Sequence, residues 1–137
     1  MAFAEPRFEL SEEELDDRTH VIAVSGEIHV STAPEFSVRL NDAIERGKTA
    51  VVLDLAAVEF IDSTGLSVLL SGLRQVTRAH GRMALVCTNP TVLRLFEITR
   101  LNDTFEIVAN RTHALVRVRE PGDRGQDAAG ESSAGAP

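Results

Sequence analysis

Residues 60–70 read FIDSTGLSVLL. An apolar run stops at Ile61. An acid, two hydroxyls and a glycine (Asp62, Ser63, Thr64 and Gly65) then stand before a leucine-rich stretch with helical spacing. Two chemistries suit such a cluster. An Asp or Ser where a helix begins accepts a hydrogen bond from an orphan backbone N–H, worth about 1 kcal/mol. Alternatively, Ser63 is a hydroxyl on which another protein acts. Local chemistry by itself favours the cap. Two features point the other way. One cap needs one side chain, yet three polar ones are grouped. Gly65 also falls in the first helical turn, where glycine costs about 1 kcal/mol against alanine, as though another molecule's backbone or a bulky group comes close there. A phosphate on Ser63 would add about −1.5 to −2 charges and lie in the positive field of the helix start. With Asp62 beside it, a partner docked over Ser63 would meet bulk, like charge and desolvation together.

Other chemistries have less to stand on. A Ser63 nucleophile would need a base, and the sequence has no G-x-S-x-G elbow. There is no G-x-x-x-x-G-K-[ST] loop for a nucleotide. His20, His29, His80 and His113 are scattered, without i, i+4 pairing or a cysteine companion, so they read as surface or strand-end residues and no metal or other cofactor is expected. Asp54 and Asp62 resemble paired acids, but Asp54 interrupts a strand pattern and reads as a hydrogen-bonded strand residue. The three arginines of RTHALVRVRE read as a solvated helix face.

The elements that must position residues 62–65 follow from periodicity. RFEL (7–10) is a short strand candidate, SEEELDD an acidic turn or loop, and THVIAVSGEI (19–28) a β-branched strand, together an opening hairpin. In STAPEFSVRLNDAIERG, Thr32 and Glu35 fit a capping box, Phe36, Leu40, Ala43 and Ile44 share a helical face, and Gly47 ends it. TAVVLDLAAVEFI (49–61) opens with a continuous apolar run, as a strand buried on both faces does. Leu66, Leu69, Leu70, Leu73 and Val76 repeat at helical spacing up to Gly81. RMALVC (82–87) is a further buried strand. Asn89 caps a helix starting at Pro90, whose apolar side is Val92, Leu93, Leu95 and Phe96. TFEIV (104–108) is the last strand, and Asn110 caps a final helix carrying Ala114, Leu115 and Val118. The order β-β-α-β-α-β-α-β-α predicts an α/β fold: a mixed, mostly parallel sheet of about five strands with about four helices, opening with a β-hairpin. In such a fold functional groups collect where strands end and helices begin, which is where residues 62–65 fall.

The chain of 137 residues suits one domain over residues 1–119, followed at 120–137 by a Gly-, Ala- and Ser-rich segment that cannot bury apolar surface and is expected to be a disordered tail. Aromatics are 4% against 43% apolar, so the core is aliphatic. A net charge of −7 without a basic run argues against direct nucleic-acid contact and against anionic lipid; a basic patch on a protein partner would be compatible. The single cysteine, Cys87, excludes an internal disulfide and reads as a small core hydrophobe. The acidic start lacks a basic, apolar leader and no stretch approaches membrane-spanning length, so a cytoplasmic protein without membrane insertion is expected.

DSTGLSVLL after VVLDLAAVEFI, with SGEI ending the second strand, the TAPEF helix start and NPTVLRLFEITRL before the last strand, resembles the STAS-domain anti-sigma factor antagonists over residues 7–119. The resemblance implies the STAS fold and a non-enzymatic partner-switching module. Unphosphorylated, such a protein binds an anti-sigma factor, often a serine kinase with a histidine-kinase-like ATPase fold, and so regulates sigma-factor-dependent transcription. The kinase phosphorylates the serine directly after the Asp, here Ser63, and the complex separates; a metal-dependent serine phosphatase reverses the step. Asp62, Ser63, Thr64, Gly65 and Ser67 would then form the partner-binding surface. Two positions depart from the family pattern: Ser67 stands where many members have a second glycine, and His29 follows GEI where an Asp is frequent. A second class on the same fold is an accessory STAS subunit of a membrane ABC transporter of the lipid-import type. A third is a hydrolase or small-ligand binder, for which neither a base nor a phosphate loop is visible.

Overall fold

The computed structural model describes residues 8–120. Arg7 and most of the expected tail, from residue 121, lie outside the described residues. The elements are β1 (Glu9–Glu14), β2 (Thr19–Ile28), α1 (Ala33–Glu45), β3 (Ala50–Ile61), α2 (Ser63–Arg78), β4 (Arg82–Val86), α3 (Pro90–Ile98), a 3-10 turn (Leu101–Asp103), β5 (Glu106–Val108) and α4 (Arg111–Arg119). They build one sheet in the order β1-β2-β3-β4-β5. β1 runs antiparallel to β2 and every other neighbouring pair is parallel. The mixed sheet, its opening hairpin and its four helices are those the periodicity predicts; the 3-10 turn is an addition, and Thr104 and Phe105, expected in the last strand, lie between that turn and β5.

The apolar run of β3 is buried on both faces because its side chains alternate between two cores. Val51, Leu53 and Leu55 pack with Phe36 of α1, Leu69 of α2 and Phe96 of α3. Ala50 and Val52 pack with Ala114 and Val118 of α4. Three helices therefore cover one face of the sheet and one covers the other. The largest of these side chains are fully removed from solvent, each stabilising the fold by about 1.5–3 kcal/mol relative to exposure. Cys87 lies in the first core, and burial pushes its thiol above the ordinary range, which suits a packing role.

Two expectations fail at charged residues. The acidic stretch 11–17, read as loop, supplies Ser11–Glu14 of β1. Pairing with β2 over the register Glu9↔Ser25 to Glu14↔His20 holds the strand, and cations from other elements compensate its carboxylates. Glu12 accepts from Arg39 of α1 and lies 2.7 Å from His20 Nε2. Glu14 lies 3.0 Å from Lys48 Nζ, and Glu13, on the alternate face, accepts from Arg111 at 3.1 Å. His20, the second residue of β2, is a strand-end residue as expected, and it is buried. The RTHALVRVRE helix, too, is not a freely solvated face. Arg111 pairs with Asp54, Arg117 with Glu106 and Arg119 with Asp16.

Between α2 and β4 the chain turns sharply. His80 takes a left-handed φ of 63°, and Gly81 N–H donates to Val76 O at 2.8 Å. A Cβ at Gly81 would collide with the backbone carbonyl of Thr49. Neighbouring substitutions should therefore act with opposite sign in thermal melts. His80→Gly relieves the left-handed strain and raises stability by about 0.5–1 kcal/mol; Gly81→Ala lowers it by about 1–3 kcal/mol. Equal melting temperatures for the two variants would contradict this turn.

Glu12 is pushed up by desolvation, but hydrogen bonds from His20 and Arg39 outweigh that and hold its carboxyl below the ordinary range. A depressed carboxyl contributes stability that is present above its unfolded pKa, near about 4.3, and lost as pH falls through its folded value. The melting temperature should fall steeply below about pH 4. Glu12→Gln should be less stable at neutral pH and show a shallower acid fall; an unchanged acid profile in that variant would exclude the contribution.

Candidate functional site

The β2–β3 pairing sets the site. Across Ala23–Ser25 and again across Gly26–Glu27, β3 carries one residue more than β2, because Ala23 pairs with Asp54, Ser25 with Ala57, Gly26 with Val58 and Glu27 with Phe60. These are bulges, which bend a strand and re-aim its end. Polar side chains satisfy the backbone they free. Asp54 Oδ1 accepts from Ala56 N–H at 3.0 Å, and Asn89 Nδ2 donates to Val58 O at 3.2 Å. Asp54 is the hydrogen-bonded strand residue expected of it, with Arg111 Nε on its other oxygen at 2.9 Å. After the second bulge Ile28 and Ile61 come level at the two strand ends.

The start of α2 is fastened to that edge. Asp62 N–H donates to Ile28 O at 3.1 Å. Its carboxylate accepts from Gly65 N–H at 3.0 Å, making Asp62 the N-cap in extended conformation. Ser63 is the first helical residue and is exposed; Thr64 is half-buried; Ser67, one turn on, is exposed. The backbone N–H groups of Ser63 and Thr64 have no acceptor among the described residues. The site thus offers a solvent-facing hydroxyl beside two free donors at the positive end of a 16-residue helix.

Gly65 corrects an expectation. It is buried, not part of the surface. A Cβ there would stand 2.6 Å from Ile61 Cγ1, 2.8 Å from Ile28 Cγ2 and 3.1 Å from Ile28 O. The glycine lets the first turn of α2 press onto the strand ends, so the close approach is internal and no outside group is needed to explain it. Asp62, Ser63, Thr64 and Ser67 remain as the sequence-nominated residues with surface in this region.

The neighbouring β2–α1 connection also differs from expectation. Thr32 precedes α1 but makes no side-chain cap bond, so the box with Glu35 does not form. Its hydroxyl instead accepts from His29 N–H at 2.9 Å and donates to Glu27 O at 2.7 Å. Thr32 has been drawn into closing the loop that carries His29 next to Ile28. His29 Nδ1 accepts from Ser31 N–H at 3.2 Å, and Nε2 lies 3.7 Å from Glu27.

Val30 and Phe60, at this end of the sheet, are 68% and 46% exposed. Sequence reading missed them. Phe60 sits within an apolar run and reads as core until the bulges turn it out. Among the described residues no cluster of three His, Cys, Asp or Glu side chains could hold a metal, and no helix is long and apolar enough to cross a membrane.

The STAS-domain family model matches residues 12–114. An anti-sigma F factor antagonist of Paenibacillus polymyxa is 30% identical over 99 residues, 72% of this chain and 85% of that protein. An anti-sigma-B factor antagonist of Listeria monocytogenes is 36% identical over 94 residues, 66% of this chain and 81% of that one. The crystal structure of an anti-sigma factor antagonist from Mycobacterium paratuberculosis superposes with a TM-score of 0.76 at 31% identity, covering 83% of this chain and 96% of that one. The chain belongs to the STAS-domain family, and these relatives are anti-sigma factor antagonists.

If Asp62 and Gly65 build the platform, their loss should be seen in stability. Asp62→Ala should cost about 1 kcal/mol as a lost cap, and Gly65→Ala about 1–3 kcal/mol as overpacking. Chemical denaturation measures both; a neutral Gly65→Ala would show that the first turn is not pressed onto Ile28 and Ile61.

Proposed function

We propose that this protein is an anti-sigma factor antagonist whose binding is switched by phosphorylation of Ser63. The observation that carries the reading is the exposed Ser63 hydroxyl at the first position of α2, next to its capping aspartate and to two unclaimed backbone donors. Kinship with anti-sigma factor antagonists names the partner class. Thr64, the other hydroxyl, is half-buried, which favours Ser63 as the acceptor.

Unmodified, the helix start and the rim formed by Asp62, Thr64, Ser67, Val30 and Phe60 dock on an anti-sigma factor and release its sigma factor for transcription. The anti-sigma factor is itself a serine kinase of the histidine-kinase-like ATPase fold and supplies ATP, Mg²⁺ and the base. The Ser63 oxygen attacks the γ-phosphorus, its proton passes to the partner's base, and ADP leaves. The chain contributes no catalytic group. The phosphoserine adds about −1.5 to −2 charges, partly balanced by the free N–H groups of Ser63 and Thr64. The docked surface then faces a dianion beside the Asp62 carboxylate. Losing about 3 kcal/mol weakens association roughly a hundredfold. A serine phosphatase returns the hydroxyl by hydrolysis. These partners act in the cytoplasm.

The test is binding to a panel of anti-sigma factors. Ser63→Ala should bind as tightly as the unmodified chain and resist the kinase, and Ser63→Asp should bind at least about tenfold more weakly. Intact-mass analysis after kinase and ATP should show one added phosphate mapped to Ser63. Equal affinity of the Ala and Asp variants, or capture of transporter subunits and no sigma regulator, would overturn the proposal.

A further inference from the structure

α2 presents a second determinant on the same face as Ser63. Residues 63, 67, 71, 74 and 78 follow at intervals of four, four, three and four, so they line one side of the helix. In this chain they are Ser63, Ser67, Ser71, Arg74 and Arg78, all exposed. The amino-terminal half of the stripe is neutral and hydroxylic; the carboxyl-terminal half is cationic. With a rise of about 1.5 Å per residue, Arg74 stands about 16 Å and Arg78 about 22 Å along the axis from Ser63.

The charge of this helix departs from that of its surroundings. The chain has a net charge of −7, yet no residue from Ser63 to Arg78 is acidic. Among the described residues, Arg39, Arg46, Lys48, Arg82, Arg111, Arg117 and Arg119 each have a carboxylate within 4.0 Å. Arg74 and Arg78 have none there. α4 also lacks acids, but its arginines are all neutralised from other elements. Arg18, Arg94 and Arg100 are likewise unpaired, but they lie in the β1–β2 turn and at α3. Arg78, in the last turn, complements the helix dipole; Arg74 lies before the last turn and has no such reason.

Resting on the reading above, we infer that the carboxyl-terminal half of the α2 face is an electrostatic clamp: Arg74 and Arg78 take an acidic strip on the anti-sigma factor that docks over Ser63. Two guanidiniums without a carboxylate among the described residues, on a chain that is acidic overall, are complementary to the carboxylates of a protein partner. The acidic strip must lie about 16–22 Å from the partner atoms that contact Ser63, measured along α2. The separation exceeds the screening length of about 10 Å in 0.1 M salt. The phosphate and the clamp therefore act as separate terms: one decides whether the partner stays, the other selects the partner and speeds its encounter.

The experiment measures association of the full chain with the anti-sigma factor retained in the binding panel, comparing wild type, Arg74→Glu/Arg78→Glu, Arg74→Lys/Arg78→Lys and Ser63→Glu. At about 50 mM salt the double glutamate variant should bind at least about tenfold more weakly, mostly through a slower on-rate. The double lysine variant should stay within about threefold of wild type. At about 500 mM salt the glutamate deficit should shrink to about threefold or less. Matching thermal melts establish that the exposed substitutions leave the fold intact. A double glutamate variant within about twofold of wild type at low salt, or a deficit that ignores salt, would overturn the clamp while a weakened Ser63→Glu leaves the switch standing. A Ser63→Glu chain that binds like wild type would overturn the switch instead, and retention of no anti-sigma factor would overturn both.

Discussion

The site depends on one close contact. α2 begins only a residue after β3 ends, and its first turn must lie against the ends of both β2 and β3. Gly65 makes this possible by leaving no atom where Ile61 Cγ1 and Ile28 Cγ2 would meet a Cβ. Asp62 locks the arrangement, using its backbone N–H for Ile28 O and its carboxylate for Gly65 N–H. With both in place the next side chain, Ser63, projects into solvent from a helix that cannot tilt without losing these contacts. A hydroxyl fixed in this way is accessible to a kinase and rigid enough to be part of an interface.

That rigidity bears on how a modification would act. The strand ends are supported from behind by Asp54 and Asn89, which satisfy the bulged backbone of β3, and from beneath by a core in which Leu69 and Val76 of α2 are fully buried. A phosphate has little reason to reorganise such a structure: its oxygens meet open solvent and two free N–H groups. The proposed switch would then be a change in surface charge and shape at one spot, with the partner rather than the fold absorbing the consequence. Elsewhere the charges are distributed unevenly. Acids of β1 and the following turn are met by arginines and Lys48 from α1, α4 and the loop before β3, whereas the arginines of α2 meet no carboxylate among the described residues.

Much of the scaffold was legible because it rests on periodicity and local chemistry. The continuous apolar run of β3, the leucine spacing of α2 and the asparagine caps Asn89 and Asn110 all appear where their patterns place them. What was not legible depends on partners distant in sequence. β1 looks like a solvated loop until Arg39, Lys48 and Arg111 arrive from 27 to 98 positions away to neutralise it. Thr32 has the spacing of a capping box, but the β2–α1 loop claims its hydroxyl. Phe60 reads as core because nothing local signals two bulges. Gly65 stands out in the sequence by its cost in a helix, but the atoms that require it belong to Ile28 and Ile61 and not to a partner.

If Ser63 stands on a fixed platform, a phosphate placed there acts locally. Amide ¹H–¹⁵N spectra of the unmodified and Ser63-phosphorylated chains test this directly. Shifts should be confined to the Asp62–Ser67 turn and the adjoining ends of β2 and β3, with the remaining amides unmoved. Shifts spread through the sheet and into α4 would show that the modification rearranges the fold, and would contradict a platform held by Gly65 and Asp62.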